Sequence, residues 1–137
     1  MDVTVYLPDD IRQKAKDYGI VLSRFLRDAL EAEFARRGAI ERALDGAKEV
    51  LLELEDENGR TYRGRITATR LCESEEPEVY LTDEEAVIVY EPDKCRYSVV
   101  QDAETELRGW LPEDAFYIAA MNALGITPTV DLVFGDR

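Results

Sequence analysis

Apolar and polar residues alternate at the start of the chain, switch to a helical period, and return to alternation after about residue 47. Val3, Val5 and Leu7 alternate with Asp2, Thr4 and Tyr6, which predicts a short strand with one apolar face. Pro8 stops that strand. Asp9 and Asp10 then offer carboxylates to the unpaired amides of a first helical turn, and Ile11, Ala15 and Tyr18 make the buried stripe of a first helix that Gly19 ends. Leu22, Phe25, Leu26, Ala29, Leu30 and Phe34 form one broad apolar face over about residues 22–36, while Arg24, Arg27, Asp28, Glu31 and Arg36 fall mainly outside it.

Arg36-Arg37-Gly38 is expected to interrupt this second helix, leaving residues 39–45 as a short amphipathic link. Val50, Leu52 and Leu54 then alternate with Glu49, Leu51, Glu53 and Glu55. Asp56-Glu57-Asn58-Gly59 supplies turn chemistry before Tyr62, Gly64, Ile66, Ala68 and Arg70, a hairpin pattern. Further strands are expected at 78–81, 86–90 and 96–100, separated by Thr82-Asp83-Glu84-Glu85 and Glu91-Pro92-Asp93-Lys94. Short, turn-punctuated strands of this kind point to an antiparallel meander of about five strands. Residues 104–110 and 112–124 follow as two helices, the second opened by Pro112 and closed by Gly125, and residues 129–134 read as a last strand returning to the sheet.

The 137 residues, 45% of them hydrophobic, suffice for a small module joined to a domain of roughly 90–100 residues. The expected boundaries are a module over 1–37, a linker over 38–46 and an acidic α+β interaction domain over 47–137. Charge separates the parts. The first 37 residues carry seven basic and seven acidic side chains, whereas the rest carry 10 basic and 23 acidic ones, so the whole net charge of −13 lies outside the module. Such an excess disfavours anionic membranes and nonspecific nucleic-acid binding and suits a basic protein partner, although it also serves solubility alone.

Cys72 and Cys95 stand far apart and the chain has no histidine, so the sequence offers no zinc-ligand set and no metal is expected. No run approaches the roughly 20 apolar residues that cross a bilayer, and the chain opens on a strand pattern rather than a signal segment. A cytoplasmic setting follows, with both cysteines read as strand residues and a disulfide between them as the alternative.

One strand and two helices bury too little surface for a lone monomer. Pairing the strand with its copy across a two-fold axis would cover both edges and give four helices one shared core. The run VTVYLPDDI, then KAKDYGI, then LSRFLRDAL resembles the ribbon-helix-helix family of Arc- and MetJ-like DNA-binding proteins over about residues 2–37. The resemblance implies a homodimer, able to assemble further on DNA, whose ribbon enters the major groove of a double-stranded operator. It places Asp2, Thr4 and Tyr6 at base-facing positions, Leu22, Ser23 and Arg24 at the phosphate-facing turn, and Val3, Val5, Leu7, Leu26 and Leu30 in the dimer core. The sequence departs from the family at Asp2, a carboxylate where a basic or amide side chain is usual, and at Val21, where a helix-capping residue is usual.

The segments YLTDEEAVIVYEPDK and ALGITPTVDLVF are similar to the C-terminal region of the actinobacterial EXLDI family, although the ending Thr129-Val130-Asp131-Leu132-Val133 does not reproduce that family's motif. Glu73, Glu75, Glu76 and Glu78 beside Pro77, like Asp83, Glu84 and Glu85, read as solvated turns. Tyr80, Tyr90, Tyr97 and Trp110 read as an aromatic ligand face or, more simply, as core and interface residues. With no nucleophile elbow, no histidine base and no phosphate-binding glycine loop, neither an enzyme nor a cofactor is expected. The expected function is a dimeric DNA-binding transcriptional regulator, in one form an autoregulating antitoxin with a basic toxin as partner. The alternative is a dimeric protein-interaction protein that uses the N-terminal module only to dimerise.

Overall fold

The computed structural model describes residues 8–19 and 21–134. The chain divides into two compact units, Met1–Ala35 and Arg36–Arg137.

In the first unit, α1 (Asp9–Asp17) carries Asp9 and Asp10 in its first turn and Lys14 and Lys16 towards its end, so both ends complement the helix dipole. Gly19, at a φ of 72°, turns the chain out of it. The helix α2 begins at Leu22 and runs to Asp45. The stripe expected to be buried is largely open: Ala15 is buried, but Ile11, Tyr18, Phe25 and Phe34 are exposed.

These findings correct the family assignment. The described order is two helices leading into the sheet, which is not the strand-helix-helix order of a ribbon-helix-helix module, and the fold class expected from that module falls with it. The architecture is instead helices, an open five-stranded antiparallel sheet, and two further helices. The strand read over Asp2, Val3, Thr4, Val5, Tyr6 and Leu7 lies outside the described residues.

Gly38 does not break α2. A glycine inside a helix costs about 1 kcal/mol relative to alanine. Beyond it, however, Ala39 is buried and Ile40, Ala43 and Leu44 pack on the core of the second unit, so tertiary burial outweighs the local penalty.

The sheet is a simple meander of β1 (Lys48–Glu55), β2 (Thr61–Arg70), β3 (Glu78–Thr82), β4 (Val87–Glu91) and β5 (Arg96–Val100), each paired antiparallel with the next. The turns stand where acidic and glycine residues placed them. Asp56 accepts the amides of Asn58 and Arg60 through one carboxylate oxygen, both at 2.9 Å, and the other oxygen takes Arg60 Nε at 2.9 Å. Between them Gly59 adopts a φ of 77°.

Strand alternation sends side chains to two cores. Val79, Leu81, Val89 and Val100 meet Leu107 of α3 (Ala103–Trp110), Tyr117, Ala120 and Met121 of α4 (Asp114–Ala123), and Leu111 and Leu124, which end the two helices. Leu52, Leu54, Ala68, Tyr80, Ile88 and Tyr90 form a second cluster on the opposite face, with no helix of this unit on it. That face buries itself because the sheet curls. Gly64 stands opposite Leu52, and a Cβ there would lie 2.9 Å from Leu54 Cδ1, so the missing side chain admits the fold of β1 over β2. The curl brings the end of β1 to the start of β5, where Glu55 N–H donates to the Cys95 carbonyl at 3.0 Å.

Two smaller expectations also change. Both cysteines are free, and neither lies in a strand: Cys72 is buried just after β2, while Cys95 takes a left-handed φ of 50° after the 3-10 turn Pro92–Lys94. Residues 129–134 form no strand.

Candidate functional site

On the helix-covered side of the second unit, a groove of about 530 Å³ lies between the loop after β2 and the junction of α3 with α4. Its walls are Glu73, Glu75 and Glu76 on one side and Trp110, Glu113 and Phe116 on the other. The loop that carries the three glutamates is fixed from beneath. Ser74 is buried and donates to the Pro77 carbonyl at 2.6 Å, Arg70 donates to the Ser74 carbonyl, and Leu71 N–H donates to Val79 at 2.9 Å. With the small serine turned inward, its neighbours Glu73, Glu75 and Glu76 are left exposed.

The opposite wall is held as firmly. Arg108 reaches from α3 to Asp114 of α4 at 2.5 Å and lies 4.9 Å from the Tyr117 ring centroid, and the Tyr117 hydroxyl donates to the Glu104 carbonyl at 3.1 Å. These contacts fix the interhelical corner, so Trp110 and Phe116 present ring surface beside the carboxylates while partly packed on the core. Trp110 also lines a second, adjoining depression with Glu76, Pro77, Glu91, Asp93 and Lys94.

The electrostatics of the two depressions differ. Glu91 accepts Arg96 Nε at 2.7 Å and lies 3.4 Å from Lys94 Nζ, and the hydrogen bond from Arg96 foremost holds its carboxyl below the ordinary range. Its charge is already answered. Glu73, Glu75, Glu76 and Glu113 make no ion pair among the described residues, and no lysine or arginine lines their groove. Four unanswered carboxylates beside two aromatic rings form a surface suited to a cation carrying apolar groups.

Of the four aromatics read together from sequence, only Trp110 stands apart. It packs on the helix side of the sheet, whereas Tyr80 and Tyr90 belong to the opposite cluster and Tyr97, half exposed, faces Tyr90 across the β4–β5 pair. Burial first, then the Glu78 carboxylate hydrogen-bonded to it, pushes the Tyr80 hydroxyl's pKa up; burial does the same at Tyr90.

Of the proposed DNA-contact residues, Asp2, Thr4 and Tyr6 lie outside the described residues, as do Val3, Val5 and Leu7 of the proposed dimer core. Leu22 opens α2, Ser23 and Arg24 are exposed in its first turn, and Leu26 and Leu30 are half-buried. The roles assigned to all of them by resemblance lose their basis with the family. Among the described residues no group of three or more cysteine, aspartate or glutamate side chains is arranged to hold a metal ion, and no helix is long and apolar enough to cross a membrane.

Glu73, Glu75 and Glu76 read from the sequence as a solvated turn. Their local pattern carries no other signal, because Trp110, Glu113 and Phe116 arrive from more than thirty residues further along. Compared with known proteins, the chain matches no family model, no curated protein and no solved structure. Neither the ribbon-helix-helix nor the EXLDI resemblance is supported, and the expected DNA-binding regulator, its antitoxin form and the dimerising interaction protein lose the module on which they rested.

Proposed function

We propose that residues 36–137 form a capture module for a basic segment of another protein. In this reading a lysine or arginine of the partner lies against Trp110 and Phe116 while Glu73, Glu75, Glu76 and Glu113 answer its charge and that of its neighbours. The observation that carries it is the coincidence of four unpaired carboxylates and two ring faces in one groove with fixed walls. A cation over an aromatic face contributes about 0.5–2 kcal/mol, more as water is displaced. The field of the unit acts in the same direction: it holds 12 basic and 23 acidic side chains, which speeds the approach of a positive partner and repels a negative one.

Like charges crowded in a groove oppose folding, and a bound cation relieves that repulsion, so occupation should also stabilise the unit. The reading is of binding rather than catalysis, since the groove offers carboxylates and rings and the chain has no histidine to work as a base near neutral pH.

Calorimetric titration of the full chain with a lysine- and arginine-rich peptide tests this. Binding should weaken with salt and fall by about tenfold or more, equivalent to about 1.4 kcal/mol, in the double variant Glu75→Lys/Glu76→Lys, whose positions are exposed. Equal binding by the double variant, or equal binding of a peptide with the basic residues replaced by glutamate, would sink the reading.

A further inference from the structure

Residues 126–134 carry an apolar stripe at strand period, and only its first half is used. Ile126 and Val130 pack on the helix-side core and Pro128 is half-buried between them, while Thr127, Thr129 and Asp131 face out. The next positions on the same stripe, Leu132 and Phe134, are 72% and 82% exposed, and Val133 is 82% exposed. Thr129, Val130, Leu132, Val133 and Phe134 are residue types that favour strands. Yet residues 127–134 form no strand and make no backbone hydrogen bond with any described residue.

A matching vacancy stands at the edge of the sheet. The end of β1 is closed: the Tyr90 hydroxyl takes both backbone groups of Glu53, and Glu55 is bonded to Cys95. By the alternation of an antiparallel strand, the N–H and C=O groups of Glu49 and Leu51 face the same edge, which pairs with no other strand among the described residues. A cavity of about 590 Å³ opens at the start of β1, where Glu49, Val50 and Leu51 meet Ala68 and Arg70 of β2 and Tyr80 of β3. Leu51 is half exposed on one face of the sheet, and Tyr97 and Val99 of β5, the strand at the other edge, are half exposed on the opposite face.

We propose that residues 131–134, beyond the anchored Val130, act as a donor strand that pairs with the open half of β1 on a second copy of this chain. The donor has the two faces that the edge requires. Leu132 and Phe134 would extend the apolar side formed by Val50, Tyr97 and Val99, while Val133 would meet Leu51 on the other side. A four-residue strand spans about 13 Å, enough to run beside Glu49 and Leu51 of β1. The second copy is the occupant because every chain carries both a donor and an acceptor, so two chains exchanging strands close a symmetric pair and leave neither edge open. An unrelated strand would cover β1 and leave Leu132 and Phe134 in water.

Amide hydrogen exchange at Leu51 and Glu49, followed in the full chain together with sedimentation, tests the proposal. In the parent chain at high concentration these amides should exchange about tenfold or more slowly than in Leu132→Glu/Phe134→Glu, and the protection should vanish on dilution as dimers become monomers. The variant Leu51→Pro, which removes an edge N–H without costing a bond to β2, should lose the dimer as well. Exchange at Leu51 equal in parent and double variant would overturn the proposal. So would protection that persists in a monomer, which would place the donor on its own chain, or a dimer that survives both variants.

Discussion

The hydroxyl of Tyr90 in β4 holds Glu53 of β1 by both backbone groups, accepting its N–H at 3.0 Å and donating to its carbonyl at 2.9 Å. A side chain thus stands in for a neighbouring strand and keeps the sheet curled. In Tyr90→Phe the ring still fills its place in the core, but Glu53 must find water for both groups, at a cost of about 1 kcal/mol. Urea denaturation should show that loss. Amide exchange at Glu53 and Glu55 should rise together; unchanged exchange there would mean that the curl does not depend on the clamp.

Alkaline pH should act on the same side of the sheet. Burial raises the hydroxyl pKa of both Tyr80 and Tyr90 above the usual tyrosine value, so their stabilising effect is complete below the unfolded value near 10 and declines as pH rises towards the folded one. Ultraviolet titration of the seven tyrosines should therefore show a late class that ionises only as the protein unfolds. Ionisation of all seven in one ordinary step, with the fold intact, would contradict the burial.

Acid should loosen the first hairpin. The Arg60 amide foremost, with that of Asn58 and the Arg60 side chain, keeps the Asp56 carboxyl below its ordinary range. The contribution of Asp56 is thus present above the unfolded pKa and is lost as pH falls through the folded one. The amide resonances of Asn58 and Arg60 should follow that titration at a pH below the usual aspartate value, and should not titrate in Asp56→Asn. In the same turn Gly59→Ala should cost about 1 kcal/mol, because its φ of 77° is unfavourable to any residue with a Cβ.

The helix-side core should be the most sensitive region. Leu107 is fully buried between the sheet and α4, so Leu107→Ala should destabilise the second unit by about 3 kcal/mol, measured by chemical denaturation. Because the walls of the groove stand on that core, the same variant should weaken binding of a basic peptide indirectly, whereas Glu75→Lys/Glu76→Lys should weaken it with little loss of stability.

The meander was legible because its information is local. Asp56-Glu57-Asn58-Gly59 binds its own amides, and Val50, Leu52 and Leu54 alternate against Gly64 and Ile66 across a short turn. The helices after β5 were legible for the same reason. What failed depended on distant partners. Gly38 reads as a break unless Ala39, Ile40 and Leu44 are known to have a core to enter, and residues 129–134 read as a strand although no strand of their own sheet receives them. Ile11, Tyr18 and Phe34 read as buried from period alone, which marks an apolar face but does not supply its cover. The groove was invisible because Glu73–Glu76 and Trp110–Phe116 share no local pattern; only the packing of α3 and α4 beside the loop after β2 brings them together.

Trp110 is the only tryptophan of the chain and lies in the wall of the groove, so its fluorescence reports directly on what enters. Titration with a lysine- and arginine-rich peptide should change the emission in a saturable, salt-sensitive way, and Glu75→Lys/Glu76→Lys should abolish most of that change. An emission that is indifferent to the basic peptide, or that responds equally to its acidic counterpart, would contradict the assignment of this groove as the binding site.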